Sequence, residues 1–298
     1  AKEFHGMNPN FAPMVKVLIK MAINARDKDA IAQWYTILDG IEPFNKGHSV
    51  ELAKAWLNLK KPQKARTVLA RLLSEKPQDR DAEVTKQLAR TWAEDDDAKC
   101  RSLLFESIRY KPSSDTYILL AELEVRRQSR NNAIDAYREA LKISPKTVSI
   151  RFSLIELLLA DGKLEESIRE LTSITRENPN LARANVLLGD TYRELGKPKE
   201  AVAHYYLALR SSKQTEELLL KTARLELYEL NQIKHAVENF ERVLQINPKN
   251  AEAHYLLGFA LKDLDQIHRA KAEFKTYLEL AAEGEFATEV QSELLNLK

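Results

Sequence analysis

The sequence predicts an all-α chain, an alpha-alpha superhelix built from stacked helical hairpins. Three observations carry that expectation. A 34-residue pulse repeats eight times along the 298 residues, marked by Pro43, Pro77, Pro112, Pro145, Pro179 and Pro248 and lost at Lys213 and Ala282. An alanine usually stands 12 positions ahead of the beat, as at Ala65, Ala133, Ala201 and Ala236. Glycine is scarce, at 8 residues, and proline falls largely between the expected helices, as a mostly helical chain requires. A helical pair of this length buries its apolar face only against its neighbours, so the core runs along the array.

The elements follow in order. Residues 1–11 have no periodicity and are expected to be an irregular N-terminal segment, with Phe4 and Phe11 free to tuck onto the first hairpin or into the groove. The repeats are expected at 12–45, 46–80, 81–113, 114–147, 148–181, 182–216, 217–250 and 251–284. The first carries Ile19 and Ile31 where later repeats have small residues, the irregularity of a terminal unit with one face toward water. The second is more regular, with Ala53 and Ala65. In the third, Cys100 and Leu104 take the small and large slots, and Glu94–Asp97 fills the hairpin turn, so a slightly altered helix crossing is expected. The fourth supplies Ala121, Ala133 and Tyr137; the fifth Leu154, Leu158, Leu171 and Ile174, ending ENPN. In the sixth, Leu188, Gly189 and Tyr192 mark one helix and Ala201, Tyr205 and Ala208 the next, at spacings of three and four that share one face. Gly196 stands at the turn, where a left-handed backbone is cheap. Gly189 sits mid-helix, at a cost of roughly 1 kcal/mol relative to Ala, which a close crossing without room for a side chain explains. Tyr205 takes the packing slot and its neighbour Tyr206 a surface position. The seventh repeat supplies Ala223, Leu227, Ala236, Phe240 and Val243 and ends INPKN; the eighth Leu257, Gly258, Leu261, Ala270, Phe274 and Tyr277. Asn and Pro in these endings stop one helix, and Pro tolerates the start of the next. Residues 285–298 place Phe286, Val290, Leu294 and Leu297 on one stripe, expected as a C-terminal capping helix or the first half of a further pair.

These slots resemble the tetratricopeptide repeat, whose signature has Leu at position 7, Gly or Ala at 8, Tyr at 11, Ala at 20, an aromatic at 24, Ala at 27 and Pro at 32. Position 8 is Ala53, Ala121, Gly189 and Gly258 in the better repeats, and position 24 is Tyr35, Tyr137, Tyr205, Phe240 and Phe274. The resemblance covers 12–284 and implies a groove lined by the first helix of each pair, with positions 2, 5, 9 and 12 on its wall, among them Val50, Thr85 and Ala89. The implied binding groove has three zones. Lys16, Lys20, Lys54 and Lys86 form a basic one, Glu122, Glu156 and Asp190 an acidic ladder broken by Arg126 and Arg193, and Tyr228, Tyr255 and Phe259 an aromatic one. Such a wall suits an extended or helical peptide with an acidic end and apolar anchors. Three like charges at one repeat position repel one another when unpaired and invite a basic partner; as single charges they are also ordinary solvated surface, and the three aromatics could equally be core. The family's carboxylate clamp is not reproduced: of Lys16, Lys20, Glu51, Ala82 and Lys86 only Lys16 matches outright, and Glu51 would repel a carboxylate.

Composition excludes much else. With 46 Lys/Arg and 44 Asp/Glu the net charge is +2, which draws neither nucleic acid nor membrane globally. The single Cys100 rules out an internal disulfide, and it occupies a packing slot. The six histidines form no HExxH or zinc-spaced cluster, and no phosphate-cradling or nucleophile-elbow pattern occurs. Glu94–Asp97 lacks the alternating oxygens and glycine of a calcium loop. No enzyme activity, no metal, no cofactor and no small-molecule substrate are therefore expected. No apolar stretch reaches the ~20 residues of a membrane helix. AKEFHGMNPNF is no signal peptide, although the initial Ala is compatible with a removed signal or anchor. The expected role is a non-catalytic scaffold that binds a peptide or partner protein in the groove, in a bacterial envelope, secretion or polysaccharide-assembly setting. A self-assembling structural protein is the alternative, and an RNA-binding helical repeat using the Lys16, Lys20 and Lys54 side a second one.

Overall fold

A computed structural model of the chain describes residues 11–211 and 215–297. Phe4 and Lys213 lie outside them. The described residues form helices joined by short turns, with no strand among them. They divide into two compact units, one ending at Leu157 and the other beginning at Leu158.

The first unit holds α1 (Ala12–Asn24), α2 (Lys28–Ile41), α3 (Lys46–Asn58), α4 (Pro62–Glu75), a 3-10 turn (Pro77–Asp79), α5 (Ala82–Thr91), α6 (Asp97–Tyr110), α7 (Ser114–Arg126), α8 (Arg130–Ile143) and most of α9 (Val148–Ala160). From α1 to α8 each helix packs against the next. Side chains of Asp27, Asn45, Asp81, Asp96 and Ser113 cap α2, α3, α5, α6 and α7 by accepting the N–H three residues on, satisfying donors that a helix start leaves orphaned. Ala53, Ala65, Ala121 and Ala133 are fully buried. Val50, Thr85 and Ala89, expected along the groove wall, are buried instead, and Val50 belongs to one apolar cluster with Ala65, Leu69, Leu72 and Val84.

The second unit holds α10 (Leu164–Glu177), α11 (Ala182–Glu194), α12 (Pro198–Ser211), α13 (Glu216–Arg224) with its π-helical continuation Leu225–Glu229, α14 (Ile233–Ile246), α15 (Ala251–Asp263), α16 (Ile267–Leu280) and α17 (Ala287–Asn296). The mid-helix glycines mark close crossings. A Cβ on Gly189 would lie 2.2 Å from Cε1 of Tyr205, and one on Gly258 would lie 2.4 Å from Cε1 of Phe274; both rings are fully buried. Tyr206 is not the surface residue the sequence suggested. It is half-buried, and its hydroxyl donates to Oε1 of the buried Glu226 (2.6 Å) and accepts from Nδ2 of Asn239 (2.9 Å). Burial raises the Glu226 carboxyl against the pull of those partners.

Two devices recur. At the fifteenth residue of most repeats the turn is left-handed: Gly162 and Gly196, but also Arg26, Lys60, Gln128, Asn231 and Asp265. Where it follows a plain α-helix, the next N–H reaches back five residues, as from Lys61 to the Trp56 carbonyl (2.9 Å) and from Ser129 to that of Glu124 (2.8 Å), the pattern that closes a helix through a left-handed residue. The second device sits at the fourth residue, where Arg151, Asn185 and His254 bond the carbonyls of Pro145, Pro179 and Pro248 six residues earlier. The third repeat departs from this scheme. There α5 ends at Thr91, no left-handed residue follows, and Arg66 takes over the helix end. Its guanidinium donates to the Thr91 carbonyl (2.5 Å), pairs with Asp95 and lies 3.5 Å over the Trp92 ring.

Candidate functional site

In the first unit, three successive first helices bring part of the sequence-derived set together. Lys54 on α3, Glu83, Lys86 and Arg90 on α5, and Asp115, Ile118, Leu119 and Glu122 on α7 line one concavity of about 360 Å3. The lysines there are not free. Lys54 pairs with Glu51 (2.9 Å) and Glu83 (3.1 Å), and Lys86 with Glu83 (2.8 Å) and Asp115 (3.9 Å). Burial alone would raise the Glu83 carboxyl, but hydrogen bonds from Lys86, Lys54 and Gln87 hold it at about 2. Lys16 is exposed and pairs with Glu42 (2.9 Å), while Lys20 is exposed and forms no ion pair among the described residues. The basic zone is thus largely neutralised from within.

Glu122 and Glu156 are exposed. Burial pushes the Tyr137 hydroxyl up, the Ser153 hydrogen bond opposes that, and the charges of both carboxylates raise it further. A second, more enclosed cleft of about 210 Å3 adjoins the concavity, sharing Arg90, Leu119 and Glu122 with it. Its remaining walls are Ala93, Cys100, Leu104, Leu123 and Arg126. Cys100 is buried, and burial lifts its thiol to about 11, so it serves as an apolar wall and not as a nucleophile.

In the second unit, Asp190 accepts from the Tyr205 hydroxyl (2.6 Å) and pairs with Lys221 (3.4 Å), and Arg193 approaches the same hydroxyl. Burial first, and then the Asp190 bond, raises the Tyr205 phenol. The aromatic set is split. Tyr228 is 64% exposed. Tyr255 is half-buried, stacked on Phe286 (4.4 Å between centroids), edge-on to Phe259 (5.0 Å) and bonded to Glu289 of α17 (2.8 Å). Phe259 is also half-buried, with its edge toward Phe274. Lys262 pairs with Glu293, so α17 lies over the face of α15 that the sequence offered to a partner.

Sequence reasoning missed Glu83, Asp115 and Arg90. A signal existed: Lys54 and Glu83, like Lys86 and Asp115, are 29 residues apart, close to one repeat, so each pair meets across adjacent first helices. Among the described residues no group of acidic, histidine and cysteine side chains could hold a metal ion, and no helix is long and apolar enough to cross a membrane.

Comparison with known proteins places these helices among repeats. Models described as tetratricopeptide or TPR repeats match residues 81–224, 225–265 and 251–283. The chain is 30% identical over 95 residues, 32% of its length, to the TPR repeat-containing thioredoxin TTL4 of Arabidopsis thaliana, of which it covers 14%. It superposes on a chain of the Naa15/Naa10 complex bound to HypK-THB with a TM-score of 0.66 at 15% identity, covering 85% of this chain and 39% of that one. It also resembles YrrB, described as a TPR protein with an unusual peptide-binding site, with a TM-score of 0.50 at 15% identity over 63% of this chain and 97% of that one.

Proposed function

The chain belongs to the tetratricopeptide-repeat family, and from that membership we propose that it is a non-catalytic scaffold holding an extended partner peptide along the face shared by α3, α5 and α7. The broader part of this reading, a scaffold for protein–protein interaction, follows from the family. The finer part is supported by one observation above all: Lys54, Lys86 and Glu122, from three successive repeats, line a single concavity of about 360 Å3. Ordered charges of both signs over a partly apolar floor of Ile118 and Leu119 favour one register of a bound chain, because a shifted register would set like charges together. The peptide-binding description of YrrB is in keeping with this use. The expected envelope, secretion or polysaccharide-assembly setting draws no support from these residues.

The test is affinity purification from native extract with wild type, Glu122→Lys and, as a control outside the concavity, Lys146→Glu as parallel baits. The expected result is a partner held by wild type and control and lost by Glu122→Lys. Equal recovery by all three removes this face from the mechanism.

A second reading, self-assembly, is favoured by α1. Met14, Val17 and Met21 recur along one side of that helix and are 53%, 55% and 62% exposed, while its other side, Val15 and Ile19, is buried. Packing that stripe against a second copy would remove it from water. The molecular mass in dilute solution decides: a monomer overturns this reading and leaves the first untouched.

A further inference from the structure

The enclosed cleft beside the concavity lies where the third repeat departs from its family's pattern. The slot filled by a ring in Tyr137, Tyr205, Phe240 and Phe274 holds Leu104, as Leu69 and Leu171 hold it in two other repeats, and α5 stops at Thr91, so a turn over 92–95, with the small Ala93 on the cleft wall, follows where a further helical turn would run. What remains is about 210 Å3 of space bounded by aliphatic side chains and a neutral thiol. A cavity of about 150 Å3 lined by such side chains accepts a benzene ring, so this one has room for a bulky apolar side chain. Its mouth carries charges of both signs. Arg90 donates to Gln87 (2.9 Å) but has no carboxylate partner among the described residues, and Glu122 likewise forms no ion pair. Arg126, the third charge at the rim, is engaged by Asp97 (3.2 Å).

We propose that this cleft receives a branched or aromatic side chain of an extended partner peptide, with an acidic residue of the peptide on the Arg90 side of that anchor and a basic residue on the Glu122 side. The proposal rests on the peptide-binding reading above and deepens it. The apolar walls supply the affinity, since each buried methylene removes apolar area from water. The two unpaired charges fix direction: a peptide with its flanking charges reversed sets acid against Glu122 and base against Arg90.

The experiment uses the full chain and a set of short fluorescent peptides with one variable residue between an acidic and a basic neighbour, in both charge orders. The variable residue is Ala, Val, Leu or Phe. Anisotropy reads affinity, and methyl NMR shifts of Leu104, Leu119 and Leu123 read location. The expected outcome is binding that strengthens about ten- to a hundred-fold from Ala to Leu or Phe, that prefers one charge order, and that shifts those three methyl groups. Ala93→Leu, which plugs the cleft from the turn without touching a charge, should abolish the anchor dependence at unchanged helicity. Leu104→Phe, filling the cleft from beneath, should do the same. Binding that ignores the anchor, survives both variants, or moves methyl groups of the second unit instead overturns this proposal while sparing the general scaffold reading. No binding tighter than ~1 mM by any peptide overturns it as well, and if native partners are still captured through Glu122 the general reading stands alone.

Discussion

Gly189→Ala tests the helix crossing most directly. An ideal Cβ at this position lies 2.2 Å from Cε1 and 2.4 Å from Cδ1 of Tyr205. Carbon atoms pack at about 3.5–4.0 Å, so the ring must retreat by more than about 1 Å. It has nowhere to go, being fully buried, and its hydroxyl is tied to Asp190 at 2.6 Å. Overpacking of this kind costs about 1–3 kcal/mol. Loosening a hydrogen bond to a charged acceptor adds up to about 1.5–3 kcal/mol, while alanine returns roughly 1 kcal/mol of helix propensity. With mid-range overpacking of about 2 kcal/mol and partial loosening of the bond at about 1–2 kcal/mol, the balance is a net loss of about 2–3 kcal/mol, read from urea unfolding followed by far-UV circular dichroism. A second variant separates the causes. With Tyr205→Leu in the background the ring is gone, and Gly189→Ala should become neutral or stabilising, giving a coupling of about 2–4 kcal/mol in a double-mutant cycle. If Gly189→Ala is harmless in the wild-type background, the helices do not cross as described, and the account of this glycine fails.

Other consequences are equally open to measurement. Lys60→Gly and Gln128→Gly remove left-handed strain of about 1–2 kcal/mol at an unfolded-state entropy cost of about 0.4–1 kcal/mol, so each should raise stability by up to about 1 kcal/mol in urea titrations; loss of stability would contradict the positive φ of 55° and 59°. Glu83 has its carboxyl lowered from 4.5 to about 2. The stability it contributes is therefore complete above about pH 4.5 and is lost as the pH falls toward 2. Glu83→Gln should flatten the acid limb of thermal denaturation in that window, and an unchanged acid limb would refute the pairing. Glu124 is buried and bonded to Arg101 (2.5 Å), which is itself half-exposed. Removing the buried partner leaves an arginine that water can reach, whereas removing the arginine leaves a buried carboxylate with only the longer Arg127 pairing (3.8 Å), so Arg101→Met should destabilise more than Glu124→Gln by about 1 kcal/mol. The reverse order in denaturant unfolding would count against that burial.

The repeat was legible because its spacing, its alanines and its prolines are local facts, and each bears on where a helix can start, stop or touch a neighbour. Gly189 even disclosed its crossing, since a glycine in mid-helix costs stability that only close packing returns, and Gly258 proves to mark another. The turns were half legible. Gly196 announces a left-handed residue, but Lys60 and Gln128 do not, because the same backbone bonds close those helix ends around residues with no preference for that conformation. The charged face was the least legible part. A lysine seen on its own helix looks free, yet Lys54 and Lys86 meet carboxylates one repeat away, and counting along one helix at a time hides them. Tyr255 and Phe259 were ambiguous for a similar reason: one apolar stripe can face a partner or the chain's own next helix, and here α17 partly covers it.

Turn chemistry also bears on the order in which the molecule assembles. In a linear array, nucleation can occur at any hairpin and spread to its neighbours, so it favours the hairpin that closes at least cost. The turns at Gly162 and Gly196 follow α9 and α11, in the middle of the chain. At Arg26, Lys60, Gln128, Asn231 and Asp265 a side-chain-bearing residue must enter the left-handed region, at about 1–2 kcal/mol, before packing repays it, and of the hairpin turns only that between α5 and α6 needs no left-handed residue. The expected order is therefore early closure of the α11–α12 hairpin, with hairpins whose turns carry side chains closing later. Pulse-labelled hydrogen exchange would register that order as earliest protection in α11 and α12, and earliest protection at α1 and α2 would reverse it.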